Sequence, residues 1–146
     1  IRIVMFGSEE VGLIGAKAYA KKHRDRLDKH IVGAESDFGA GRIWRFDTNF
    51  AQEKLFLADA IHKVLEPLGI GRGDNKASGG PDIGPLMELG VPAVTLKQNG
   101  WDYFDYHHTA DDTLDKINRS DMAQNVAAYA AFVWMAANID GHFRED

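Results

Sequence analysis

Ile1-Arg2-Ile3-Val4-Met5-Phe6-Gly7-Ser8-Glu9-Glu10 opens the chain. A short, β-branched and almost continuously apolar run ended by glycine reads as a central parallel strand covered on both faces. Two adjacent acids follow it directly. In an open α/β sheet, ligands bind beyond the carboxyl ends of the strands, so this strand end is the first place to look for chemistry.

Outward from there, strand and helix patterns alternate. From Gly12 to about Leu27, apolar or small residues recur at Leu13, Ala16, Ala20 and Leu27, which predicts an amphipathic helix. His30 to Ser36 and Arg42 to Phe46 read as strands. Leu57, Ile61, Val64 and Leu68 follow helical spacing, with Asn49 as a cap and Pro67 at the exit. The glycine-rich stretch from Gly69 to Gly80 predicts a loop or irregular edge, and Pro81 starts a short helix that Gly90 stops. Val91 to Leu96 is another buried strand, and Lys97 to Asp112 a polar and aromatic loop. Met122, Val126, Ala130, Val133 and Ala137 form the apolar stripe of a closing helix. The predicted class is α/β, a three-layer α/β/α sandwich around a mixed, mainly parallel sheet.

Composition removes several functions. The 146 residues suit one domain, with 45% hydrophobic and 27% charged residues. Lys plus Arg number 17 against 22 Asp plus Glu, a net charge of -5, and no basic block offers a footprint for nucleic acid. The longest apolar run, Val126 to Ala137, is 12 residues, short of the roughly 20 a membrane-spanning helix needs. Without cysteine there is neither a disulfide nor a thiol nucleophile. A chain that opens inside a buried strand reads as a fragment.

Three predicted strands deliver acid or imidazole to one end of the sheet: Glu9-Glu10, Glu35-Ser36-Asp37, and the strand near Val94 leading to Tyr106-His107-His108-Thr109. Nitrogen and oxygen donors without sulfur suit Zn²⁺ or a harder divalent ion. Each piece alone has an ordinary structural explanation. Glu9-Glu10 suits a helix N-terminus, Asp37 an Asx turn, and the histidines a hydrogen-bonded surface pair.

The joint pattern resembles the co-catalytic zinc peptidases, a family that takes in leucyl aminopeptidases and glutamate carboxypeptidases, and most resembles its carboxypeptidase Q group. The likeness covers essentially the whole chain. It rests on Ile3 to Leu13, Glu35-Ser36-Asp37, Ser78-Gly79-Gly80-Pro81-Asp82-Ile83-Gly84-Pro85-Leu86, Gly90-Val91-Pro92-Ala93 and His107-His108-Thr109-Ala110-Asp111-Asp112-Thr113. The resemblance implies that Glu9 is the general base, that Glu10 and His108 bind one metal, and that Asp37 binds the other. His107, Asp82, Asp112 and Gly80 are then expected to support the ligands or face substrate. The implied cofactor is two Zn²⁺ ions in the whole enzyme. The implied reaction is exopeptidase hydrolysis of a peptide or dipeptide by a hydroxide held between the metals, in a secreted or periplasmic protein.

The match is incomplete. A histidine and a bridging aspartate of the family lie upstream of the strand at Ile1, and His23, His30 and His62 are placed wrongly to replace them. The chain is therefore expected to be the C-terminal part of a zinc peptidase catalytic domain, residues 1–146, whose missing N-terminal part is its first partner. Alone it is expected to be inactive and to hold metal weakly or not at all. Trp101, Tyr103, Phe104 and Tyr106 read equally as pocket lining, a packed patch or a homodimer contact. Two rival readings stand beside the peptidase: a non-catalytic binding or dimerisation module on the same fold, and a single-zinc acyltransferase of the glutaminyl cyclase type.

Overall fold

The computed structural model describes residues 1–145 and has a four-stranded mixed sheet between two helical layers. The strands are β1 (Gly33–Ala34), β2 (Ile43–Asn49), β3 (Gly71–Arg72) and β4 (Ala93–Gln98). They lie in the order β1-β4-β2-β3, with β1 parallel to β4, β2 parallel to β3, and the long central pair β2 and β4 antiparallel. The helices are α1 (Ile14–Lys22), α2 (Leu55–Leu65), α3 (Gly84–Met87), α4 (Tyr103–Tyr106) and α5 (Arg119–Asn138). Among the described residues, no helix is long and apolar enough to cross a membrane.

A bulge between Ile43 and Arg45 adds one residue to β2, so Ile43 and Phe46 point to the same face despite their odd spacing. Val94 and Leu96 of β4 join them, and α2 and α5 cover this face with Ala58, Ile61, Leu65, Ala128 and Phe132. Each large side chain fully withdrawn from water here contributes roughly 1.5–3 kcal/mol. Ala93 points the other way and packs with Ile83, Leu86, Ala20 and Leu27 beneath α1 and α3. The open part of that second face carries Arg45, Asp47 and Lys97. Buried Asp47 accepts from Arg45 Nε at 2.6 Å and pairs with Lys97 Nζ at 3.1 Å.

Several expectations need correction. Residues 1–6 form no strand; Ile1, Ile3 and Met5 are almost fully exposed. A strand exists only through the ladder of a neighbour, and no described strand pairs with this segment. Its local anchors are Arg2, which donates to the Tyr19 hydroxyl at 2.7 Å, and Phe6, edge-on to the Tyr19 ring. The strand expected over His30 to Ser36 shrinks to two residues. Asn49 does not cap a helix, because it is the last residue of β2 and α2 starts only at Leu55. The buried face of α2 is Ala58, Ile61 and Leu65, leaving Val64 exposed. Pro81 lies in the turn before α3, which carries Pro85 in its first turn instead.

Of the apolar stripe expected on α5, Met122, Val126, Ala130 and Ala137 face outward and Val133 alone packs against the core. The helix buries Gln124, Asn125, Ala128, Phe132 and Ala136, while Val126 is 62% exposed. An alanine-rich helix is apolar nearly all round, so periodicity does not select its face. Hydrogen bonding does. Gln124 donates to the carbonyls of Ile43 and Leu68 and accepts the Ile43 N–H, and Asn125 donates to the carbonyl of Gly41. These amides satisfy backbone groups at the start of β2 and after α2 that burial would otherwise orphan.

Candidate metal centre

The acids after residues 1–6 are held by a tight turn. Glu9's carbonyl accepts the N–H groups of Gly12 and Leu13, Ser8's accepts that of Ile14, and Gly7's accepts that of Gly15. A side chain at Gly15 would meet the Gly7 carbonyl at 2.6 Å, so this close approach requires glycine. Ser8, just before the acids, has φ 60°, and His108 has the same φ. Left-handed backbone at residues other than glycine costs on the order of 1 kcal/mol and concentrates where side chains must be aimed.

His108 is supported from behind. Thr109 Oγ1 donates to the Tyr106 carbonyl at 2.6 Å and accepts the Asp111 N–H at 3.2 Å, which closes the turn that carries the imidazole. A train of rings joins this turn to the loop of Asp37: Phe38 stacks on Tyr103 at 4.4 Å, Tyr103 lies 4.7 Å from His107, and His107 stacks on His108 at 3.7 Å. Buried Gln98, at the end of β4, donates to Ser36 Oγ at 2.8 Å and to the Gly39 carbonyl, fixing the other side of that loop.

The outcome is convergence. His108 Nε2 and Glu10 Oε1 are 2.7 Å apart, and ligand atoms of Glu10, His107 and His108 all lie within 4.8 Å of one another. Glu9 and Asp37 line the same cleft, of about 1120 Å³, outside that group of three. Partial burial and the charges of Glu10, Asp37 and Asp82 push the Glu9 carboxyl above the ordinary carboxylate range, while His108 opposes them. A donor set of carboxylates and imidazoles without sulfur fits zinc or a harder divalent ion. His107, expected beside the ligands, is near enough to join them.

Asp82 is 5% exposed and its Oδ1 has no hydrogen-bond partner among the described residues; burial and Asp37 raise its carboxyl. Asp112 lines the cleft, and the hydrogen bond on His108 Nε2 goes to Glu10. The cap of α5 is Asn118, whose Oδ1 accepts the N–H groups of Ser120 and Asp121. Gly80, at φ 106°, packs on Glu35. The three histidines weighed as replacements serve the scaffold: His30 bonds Tyr19 and the Arg26 carbonyl, His62 bonds the Ile70 carbonyl, and His23 packs on the Tyr19 ring. Of the aromatic loop, Trp101 and Phe104 stay largely exposed while Tyr103 packs inward.

A family model for peptidase family M28 matches residues 1–133. The chain belongs to peptidase family M28. It is 26% identical over 140 residues to carboxypeptidase Q of Rattus norvegicus, covering 96% of this chain and 29% of that protein. With carboxypeptidase Q of Xenopus laevis it shares 28% over 114 residues, covering 78% of this chain and 24% of the relative. It is similar to the crystal structure of a peptidase M28 precursor from Shewanella amazonensis SB2B, with TM-score 0.91 and 52% identity over 97% of this chain and 32% of that one. The chain thus spans about a third or less of the length of these relatives. The family match agrees with the resemblance read from the motifs, and the M28 structural likeness with the α/β class.

Glu35, Gln98 and Tyr129 join the site's support without having been singled out by the sequence motifs. Gln98 and Tyr129 carry no periodic signal. Glu35 stood two residues before Asp37, and that proximity was the one available clue.

Proposed function

We propose that this M28 peptidase chain is the C-terminal part of the catalytic domain of a zinc-dependent exopeptidase, acting on peptides or dipeptides. The observation that carries this reading is the pairing of Glu10 with His108 across 98 positions, with Glu9 and Asp37 in the same cleft. Glu10 and His108 would hold one zinc and Asp37 the second. Zinc, when bound, supplies positive charge that polarises the scissile carbonyl and acidifies water. Glu9 takes the proton of the attacking water and returns it to the leaving amine.

Three family ligands divided between two metals are too few for tight zinc binding, so the chain alone is inactive and the rest of the protein completes the site. Retention of Glu9, Glu10, Asp37 and His108 together favours an enzyme over a scaffold. Export to the periplasm or outside the cell is the location the family resemblance implies. The test is a dipeptidase assay on the full-length zinc-loaded protein. Glu9→Ala and His108→Ala are each expected to lower activity on the order of a hundredfold or more. A modest loss in both would overturn the assignment.

A further inference from the structure

Glu35 follows β1 directly and lies two residues before Asp37. Its backbone carbonyl accepts the hydroxyl of Tyr129, which reaches across from α5. Its side-chain Oε2 accepts two backbone N–H groups, from Asp82 at 2.9 Å and from Ile83 at 3.3 Å. Gly80 packs against the same side chain so closely that a Cβ there would stand 2.3 Å from Oε2 and 2.7 Å from Glu35 Cβ. Gly79 and Gly80 both have positive φ, at 77° and 106°. The turn from Gly79 to Ile83 is therefore folded around one carboxyl group.

That turn forms part of the site. Gly79, Gly80 and Pro81 wall a cavity of about 630 Å³, and Asp37 and Phe38 form part of its lining. The turn also carries buried Asp82, whose Oδ1 finds no partner among the described residues. Glu35 thus joins two segments 47 positions apart at the rim where Asp37 is presented. Both N–H groups converge on one acceptor oxygen in a setting partly shielded from water, where a hydrogen bond holds more firmly than in bulk solvent.

We propose that Glu35 is a positioning residue: it sets the Gly79 to Ile83 wall against the Asp37 strand end and so shapes the cavity that receives substrate. This rests on the peptidase reading above. Glu35 spends its contacts on backbone, so its effect falls on binding more than on the chemical step.

The test compares Glu35→Ala and Glu35→Gln in the full-length zinc-loaded protein. Glutamine keeps one oxygen acceptor for the two N–H groups. Glu35→Ala is expected to raise KM roughly tenfold, with kcat within about threefold of wild type and zinc content unchanged. Glu35→Gln recovers most of that loss. Amide hydrogen exchange at Asp82 and Ile83 accelerates in Glu35→Ala and not in Glu35→Gln, a readout independent of activity. Unchanged KM together with unchanged exchange overturns the proposal, as does a collapse of kcat at constant KM. A wild-type protein that binds zinc yet cleaves no dipeptide sinks the peptidase reading instead, and the exchange result still decides whether Glu35 holds the turn. If Glu35→Ala does not fold, Gly80→Ala, which drives a methyl group into Glu35, is expected to give the same rise in KM and the same loss of protection. Wild-type behaviour of Gly80→Ala would then count against the proposal.

Discussion

Glu10 Oε1 and His108 Nε2 lie at hydrogen-bonding distance, 2.7 Å, although 98 positions separate them. Neither side chain is buried, so the pair is accessible to an incoming cation. Its members are delivered by two rigid turns, each with a residue other than glycine in left-handed backbone, Ser8 beside Glu9-Glu10 and His108 itself.

In the full-length protein, Glu10→Gln or His108→Ala is expected to weaken zinc binding on the order of a hundredfold or more, since even partners outside the ligand shell cost 10- to 100-fold. Competition against a chromophoric chelator measures this. Wild-type affinity in either variant would remove the pair from the metal site.

Gln124 and Val126 test which face of α5 matters. Gln124→Leu leaves the Ile43 N–H and the Ile43 and Leu68 carbonyls without their amide partner, and is expected to cost about 2–4 kcal/mol. Val126→Ala, at a position 62% exposed, should stay within about 0.5 kcal/mol. Urea denaturation of the two variants settles the order, and equal losses would argue against the buried-amide account.

Burial raises the Tyr129 hydroxyl to about 12, keeping it protonated as a donor to Glu35's carbonyl at neutral pH. Tyr129→Phe removes that bond with little change of shape. The expected loss is about 1 kcal/mol by chemical denaturation, and the fold should survive.

Hydrogen bonds from Thr113 and Lys116 lower the Asp115 carboxyl from 3.8 to about 2. A depressed folded value means the contribution is present above about 3.8 and lost as pH falls through about 2. An NMR titration of the Asp115 carboxyl should find its midpoint near 2, and Thr113→Ala should move it up toward 3.8. A wild-type midpoint already near the upper value would show that these contacts do not persist in solution.

Short-range patterns carried the secondary structure where one contrast dominated. Ala16 and Ala20 are buried as their spacing predicts, although α1 stops at Lys22 and Leu27 is buried from a separate 3-10 turn, and glycine at 90 follows the end of its helix with φ 86°. They misled where apolar residues surround the element, as on α5, or where a strand depends on neighbours, as at residues 1–6. The acids and imidazoles were legible as a list of types after strand ends. Their delivery to one end of the sheet was legible too, but the side chain of Glu35, which holds the Gly79 to Ile83 turn, was not.

The order of residues by itself determined the alternation of helix and strand, the absence of thiol donors, and the motifs that mark an M28 peptidase, because these depend on chemistry within a few positions. Tertiary structure alone decided that Glu35 reaches Asp82 and Ile83 and that α5 turns its amides inward, and it gave Glu10 and His108, which the family resemblance sets on one metal, their direct contact. Those contacts join segments from 47 to 98 positions apart, and they arise from sheet order and from the need of buried backbone groups for partners. Neither leaves a local trace in the sequence.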